Sequence, residues 1–564
     1  MQVKLTIAET VTKLAADAIT MYIGEDAFAL LSKQSFLAVW DELYEACSWA
    51  TIFQSSAFVV CWYQTYRAKY LPIIVKSENG NRLTGLLTMA VPISDNKQKD
   101  IIGAGKYEAE YQTWLSAIPD DESFIKTALL KIHQQFPDFN IHFRFIPSQA
   151  PLKWITEPNW KLRCALQSHK RPLMDMSDPD LSKMFRKTEF RNKLNRLKRL
   201  GELTFERITD KAQFSAILDE LIIQYDFRQG AMFNVTQFRD EPLKVDFLMA
   251  LFEKKLLHIT VMKVQGQIFA SVIAIAGRDW VHLGGINIHT PFNAKFYSPG
   301  FVHFLLLAQQ LLKEGVSVFD LTPGGDAYKE RLATTHDQVY ELVVTSNFMY
   351  WAKRQLRKQY DKMLIQLGKW PMGVDVSRRK KLYLLKARIS KARRTGILTT
   401  AIGQIKKLVQ HPQEKLYVAT PESLIGKDAL PLNKNNLRDM LQFEAEGTRM
   451  TRWEFLEDAM RRFEVGQIAY TYCEEGRLLN CVWLNKGEET ASSKTLNSIK
   501  AEDAAILKEI YFHPQGRDKL KPFLTTVAAE VTNDQNKGQV YAISFNNNKV
   551  LCQTLEVIGF KSLT

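Results

Sequence analysis

The chain has 564 residues, 46% of them apolar, which is enough for several separate cores, and at roughly 150 residues per domain the length predicts three or four. A formal net charge of +14 would point to nucleic acid or an anionic membrane if it were spread evenly, but residues 350–410 hold 17 Lys or Arg against two acids, Asp361 and Asp375. The rest of the chain is close to neutral, and its six scattered cysteines lack the spacing of a zinc site or a disulfide framework, so reduced thiols in a cytoplasm are expected.

The N-terminal stretch MQVKLTIAETVTKLAADAIT carries Glu9 and Asp17 within its most apolar part, unlike a signal peptide, and no run approaches the roughly 18 apolar residues that span a bilayer. From about Phe28 to Thr156 the pattern is α/β. YLPIIVKSENGNRLTGLLTMAVPIS pairs two β-rich runs across Asn79-Gly80-Asn81, a hairpin signal. DESFIKTALLKIHQQF follows as an amphipathic helix and FNIHFRFIP as a buried strand. A second unit, about Arg171 to Asn347, repeats that order. Its basic helix LSKMFRKTEFRNKLNRLKRLG ends at Gly201, and its meander turns at Gln265-Gly266-Gln267. The helix GFVHFLLLAQQLLKEG, the strand VSVFDLT and the strand QVYELVVTS complete it. Lys353 to Lys407 is helical with a break at Pro371-Met372-Gly373, and Lys415 to Thr564 returns to α/β. Three units in one order predict an internal structural repeat.

Tyr297-Ser298-Pro299-Gly300 precedes a long apolar helix, with Ser298 expected as N-cap and Pro299 in the first turn, so helix-end amides would face outward as an anion site. Asp320 ends an apolar strand and is followed by Thr322-Pro323-Gly324-Gly325-Asp326, at the kind of strand edge where α/β folds collect ligands. A carboxylate there could act as base toward an amine or hydroxyl, with Asp320 favoured and Asp326 either a second contact or a turn former. Lys329 could neutralise phosphate or a developing oxyanion. Glu110-Tyr111 is read as an acceptor-binding pair or a solvated loop acid. Arg191, Arg196 and Lys198 are phosphate ligands or a solvated face, and His282, His289 and His303, which lack metal-ligand spacing, are assigned core or surface roles. No metal site is expected.

At FNAKFYSPGFVHFLLLAQQLLKEGVSVFDLTPGGDAYKERLATT the sequence resembles the CelD-like (BioF-like) acetyltransferases, a branch of the GNAT superfamily associated with polysaccharide biosynthesis. The resemblance runs back through FRKTEFRNKLNRLKRLG to FQSSAFVVCWYQTY and covers about residues 28–350. That branch is similar to the Fem-type aminoacyltransferases, which implies tandem lobes with mixed central sheets flanked by helices, 1–165 and 166–349, followed by a basic helical linker, 350–411. It also implies acetyl-CoA as co-substrate, met by Tyr297, Ser298, Pro299 and Gly300. Tyr328-Lys329 stands where Fem-type enzymes carry an aromatic-Lys motif, placing Tyr328 and Lys329 with Asp320 in catalysis and Glu110, Tyr111 and Asp326 on the substrate. The implied reaction is acetyl transfer to an amine or hydroxyl of a sugar or polysaccharide precursor. The alternatives are Fem-like aminoacyl transfer and an inactive membrane-associated scaffold. IYFHPQGRDKLKPFLTTV and VYAISFNNNKVLCQTLEVIGF resemble the ends of a further GNAT domain, 412–564. There Asp518, Leu520 and Pro522 replace a glycine-spaced phosphate loop and Leu555 replaces a catalytic tyrosine, so that domain is read as degenerate. The linker's mix of Leu, Trp and Lys/Arg suits an amphipathic helix on anionic lipid, so the enzyme is expected in the cytoplasm, peripheral at the inner membrane face, with nucleic acid disfavoured.

Overall fold

The computed structural model describes residues 18–80, 82–93, 99–395, 413–424, 430–446, 448, 450–486, 505–534 and 538–563. Asn81 of the first hairpin turn, the N-terminal residues 1–17 and residues 396–412 of the basic segment lie outside these. The chain forms two compact units. Unit 1 comprises Met1–Ala216, Glu241–Asn287 and Gly300–Val374; unit 2 comprises Ile217–Asp240, Ile288–Pro299 and Asp375–Thr564.

Unit 1 carries β1 (Ala18–Ile23), β2 (Tyr70–Asn79), β3 (Arg82–Pro92), β4 (Asp100–Gly103), β5 (Leu115–Ser116), β6 (Asn140–Pro147), β7 (Cys164–Asp175), β8 (Leu203–Ile208), β9 (Leu257–Val264), β10 (Gln267–Gly277) and β11 (Trp280–His282). The chain crosses to unit 2 within β12 (Asn287–His289) and returns for β13 (Val318–Asp320) and β14 (Thr335–Val344). The main path of the sheet runs β1-β2-β3-β4-β6-β14-β7-β13-β11-β10-β9-β8. Each half is an antiparallel four-strand meander closed by one parallel pair, β4 with β6 in the first half and β11 with β13 in the second. The sixth strands are exchanged. β7 follows the first half in sequence but pairs with β13, while β14 follows the second half but pairs with β6. β7 and β14 then join the halves antiparallel from Thr335↔Leu173 to Val344↔Cys164.

Local chemistry explains the elements. The middle of β2 is buried at six successive positions, as expected of a strand covered on both faces. The helix Gln34–Ala46 covers its side of the sheet with Phe36, Trp40, Leu43 and Tyr44, a helical stripe. Between β9 and β10 the two turn residues Gln265 and Gly266 have φ of 49° and 77°, the left-handed pair that a tight hairpin needs.

Unit 2 holds β15 (Glu414–Ala419), β16 (Asn433–Lys434), β17 (Ile468–Glu474), β18 (Arg477–Lys486), β19 (Ala505–Phe512), β20 (Val540–Phe545) and β21 (Lys561–Ser562), in the order β16-β17-β18-β19-β20-β15-β21. Among the described strands only β19 and β20 are parallel, and β15, like β7 in unit 1, precedes its meander and closes it antiparallel. The hairpin between the second and third strands of this copy again turns on two left-handed residues, Glu475 and Gly476. The helix Leu520–Asp534 seals the core with Leu520, Phe523, Leu524, Val527, Ala528 and Val531. The architecture is therefore mixed α/β, and the predicted repeat is present as topology in three copies.

The basic segment forms helices Phe348–Gln366 and Pro371–Thr395. Their break falls at Gly368, not at Pro371-Met372-Gly373. Gly368 takes φ 67° and its N–H bonds Ile365 O, a left-handed helix end, and Pro371 opens the next helix, where its missing N–H costs nothing. Among the described residues no helix is long and apolar enough to cross a membrane.

His303, on the helix Pro299–Lys313, is 1% exposed, and burial, with the Thr260 backbone opposing and His258 assisting, lowers its pKa from 6.5 to about 3. The folded protein thus stays neutral at His303 while the unfolded chain takes up a proton as pH falls through 6.5. Stability is lost from there toward pH 3, at about 1.4 kcal/mol per pH unit from this group. His303→Leu is expected to remove that slope, read from denaturant midpoints of variant and wild type across the acid range.

Candidate active site

The site grows from the parallel pair in the second half of unit 1. His282 ends β11 and Asp320 ends β13, and the register sets them side by side. Both are buried, and His282 Nδ1 lies 2.8 Å from Asp320 Oδ2. Asp320 Oδ1 accepts from the Thr322 N–H at 2.8 Å. Arg171 reaches the same carboxylate from β7, 3.9 Å away, while its guanidinium forks onto Asp337 of β14. Burial alone would raise the Asp320 pKa, but the His282 bond and charge and the Arg171 charge outweigh it and hold the group below the usual carboxylate range. The Tyr111 hydroxyl acts on this carboxylate electrostatically, yet falls outside hydrogen-bond geometry. Phe53, Tyr111 and Trp280 surround the His282 ring at 5.4, 5.5 and 5.9 Å between centroids. His282 and Arg171 line a cavity of about 210 Å³ shared with Tyr44, Trp49, Arg278 and Trp280.

The loop after β13 brings the other residues. Lys329 is buried, its ammonium 3.0 Å from Thr322 Oγ1, 3.2 Å from Thr322 O and 3.5 Å from Asp326. Asp326 holds the N-cap position of the short helix Ala327–Leu332, but its carboxylate serves Lys329 and no helix amide. Tyr328 is half-buried, its hydroxyl 3.4 Å from Asn287 Nδ2. Gly325 has φ 71°, and a Cβ there would stand 2.5 Å from the Trp370 indole nitrogen. Gly325→Val is expected to cost about 1–3 kcal/mol, since a β-branched residue resists the left-handed region, and the loss is read as a lowered Tm.

Glu110 and Tyr111 are not solvated. Glu110 is 8% exposed, both its oxygens 3.1 Å from Arg144, and Lys329 acts on it electrostatically; burial outweighs these cations and raises its pKa. Burial likewise pushes the Tyr111 hydroxyl well up. Glu110, Tyr111, Asp320, Asp326 and Lys329 therefore share one neighbourhood.

Tyr297, Ser298 and Pro299 fall in unit 2 and Gly300 in unit 1. Ser298 is not an extended N-cap: with φ 50° and ψ 51° it ends the short helix Ala294–Tyr297, its N–H on Ala294 O. A residue before proline is pushed out of the right-handed helical region, and here it takes the left-handed one. Arg191, Arg196 and Lys198 are exposed. Lys193 of the same helix stands 5.0 Å over Phe301, in the first turn of Pro299–Lys313, and Arg331 covers that ring at 4.2 Å.

The equivalent place in the first half is filled. The Gln112 side chain occupies it, bonded to Lys106 O and the Arg144 N–H, and a Cβ on Gly103 would stand 2.5 Å from its oxygen. In unit 2 the diverging ends of β19 and β20 leave about 500 Å³, but its lining residues, such as Arg462, Lys508 and Glu509, include no imidazole or thiol. Leu520 turns into the core there and does not block a loop; Asp518 is exposed. The one grouping among the described residues with metal-ligand proximity is Glu444, Glu446 and His513. His513 Nδ1 accepts from the Gln515 N–H, so Nε2 keeps the proton and faces Glu446 at 3.5 Å. A metal would have to displace that proton.

Residues 184–330 match the family described as acetyltransferase (GNAT) domain. His282, Asp320 and Lys329 lie inside that span, while Glu110, Tyr111 and Arg171 lie outside it. No curated protein matches the chain. Among solved structures, L-PGS from Bacillus licheniformis is 14% identical over 49% of this chain and 86% of its own, with a TM-score of 0.34. FemX is 8% identical over 56% and 98%, with a TM-score of 0.39. A tandem GNAT protein from the clavulanic acid biosynthesis pathway is 10% identical over 58% and 98%, with a TM-score of 0.35. Such similarity carries no residue roles to this chain.

Proposed function

We propose that the chain is an acyltransferase that uses acyl-coenzyme A, with His282 as general base in the second half of unit 1. The observation that carries this reading is the His282–Asp320 pair, closing the two parallel strands of the GNAT-matched span beside a cavity. Asp320, ionised and fixed, accepts a hydrogen bond from the His282 Nδ1–H and leaves Nε2 as acceptor. The amine or hydroxyl of the acceptor attacks the thioester carbonyl and gives its proton to Nε2. The new C–N or C–O bond replaces the C–S bond, and the proton passes on to the departing thiolate. Lys329 fixes the Thr322–Asp326 loop at the same strand end and adds positive charge there.

The residues suit such a co-substrate. Lys193 and Arg331, which share Glu189 as ion-pair partner, flank the first turn of the helix Pro299–Lys313, where a helix end already favours anions. Arg171 and Arg278 on the cavity wall suit a polar acceptor, and the resemblance to CelD-like proteins adds the sugar or polysaccharide precursor. Aminoacyl transfer is the second reading, favoured by the paired halves with one working cleft, and release of an aminoacyl group from charged tRNA would select it.

Calorimetry with coenzyme A tests the first reading. Wild type is expected to bind, and Gly300→Glu, which places a negative charge at the helix start, to bind about tenfold or more weakly. Absence of binding to wild type would overturn it.

A further inference from the structure

The helix Phe348–Gln366 rests on unit 1 through Asp361 and Leu364, which are buried. An adjoining side is apolar and open. Met349 is 81% exposed, Leu356 72%, Met363 46% and Leu367, at the helix end, 62%, with Tyr360 at 40%. At about 100° per residue these five fall within an arc of roughly 60°, a continuous stripe along the helix. Lys353 borders the stripe, Lys362 is exposed on the far side of the helix and Lys369 beyond its end, and Asp361, turned inward and paired with Arg357, is the helix's one acid. The helix Pro371–Thr395 repeats the design. Leu382, Leu385 and Ile389 are about half exposed at i, i+3 and i+7, among exposed Arg378, Arg379, Lys381, Lys386 and Arg388.

From this stripe, on a helix with five Lys or Arg against one acid, we infer that the helix Phe348–Gln366 docks unit 1 onto a bilayer containing anionic lipid. A soluble core helix turns such a stripe inward, whereas this one turns its acid inward and its apolar residues out. Charge complementarity selects the occupant. The net positive charge of the helix would repel the same helix of a second copy, and nucleic acid would engage the cations but gain nothing from Met349, Leu356 and Met363. An anionic bilayer takes both, with the apolar stripe sinking to the acyl boundary and the ammonium groups at the phosphates.

The test is flotation of the full chain with phosphatidylglycerol–phosphatidylcholine vesicles and with phosphatidylcholine vesicles alone. Binding is expected to the first and to weaken with added salt. The double variant Leu356→Glu, Met363→Glu is expected to bind about tenfold or more weakly, since two inserting side chains are lost, while its affinity for coenzyme A stays unchanged. Both positions are exposed, so an unchanged Tm is expected. No binding to anionic vesicles, equal binding by the variant, or self-association of wild type that the variant abolishes would each overturn the proposal. Because coenzyme A binding is measured separately, loss of the vesicle result leaves the acyltransferase reading standing.

Discussion

His282→Gln is expected to lower kcat/KM by about 10²–10⁴, the range that general-base assistance supplies, with KM for acyl-coenzyme A nearly unchanged. Glutamine can still donate to Asp320, so the buried carboxylate keeps a partner and the fold survives, but its amide offers no basic nitrogen at the position of Nε2. Asp320→Asn tests the same dyad from the other side. An amide that donates to Nδ1 forces the ring proton onto Nε2 and removes the acceptor, so a loss of similar size is expected although His282 is intact. Activity within about threefold of wild type in His282→Gln would reject His282 and return the role to Glu110 or Asp320.

The local half of this site is legible in the sequence, whereas of the long-range half only Glu110 and Tyr111 are named there, through the family resemblance. Asp320 and Lys329 stand out because a strand end followed by Gly and Pro is a local pattern, and the Gln265-Gly266 and Glu475-Gly476 turns are local too. His282 looks like an ordinary strand residue, since its partner lies 38 positions on and meets it only through the parallel register. Glu110 reads as a loop acid until Arg144, brought in by β6, shares its burial. Arg171 was hidden for a different reason. Pro172, three residues before the end of β7, is the mark of an edge strand, yet β7 lies between β13 and β14. The proline fits because its carbonyl still accepts from the Leu321 N–H, and the exchange of β7 and β14 between halves leaves no local trace. The plug at Gln112 is equally silent, since only the fold shows that this side chain fills the first half's cleft.

The strand exchange makes Arg171 the residue with the largest expected effect on stability. It stands opposite Asp337 across the β7–β14 seam, forks onto that carboxylate and lies 3.9 Å from Asp320. The Tyr111 and Trp280 rings cover its guanidinium at 5.0 and 5.2 Å, and its side chain is 3% exposed. Arg171→Ala removes one cation from two carboxylates, of which Asp320 has no route to water. Breaking a buried pair from one side costs about 3–5 kcal/mol, chiefly because the surviving charge is stranded. Arg171→Lys keeps the charge but loses the fork, so an intermediate loss is expected. A cycle of Arg171→Met and Asp337→Asn, followed by thermal unfolding, separates the pair from the burial of the arginine stem. Asp337 is partly exposed and survives alone at little cost, so coupling of about 1–3 kcal/mol is expected. Coupling near zero would mean that the seam is held by its backbone ladder and packing, and that Arg171 serves the Asp320 carboxylate alone.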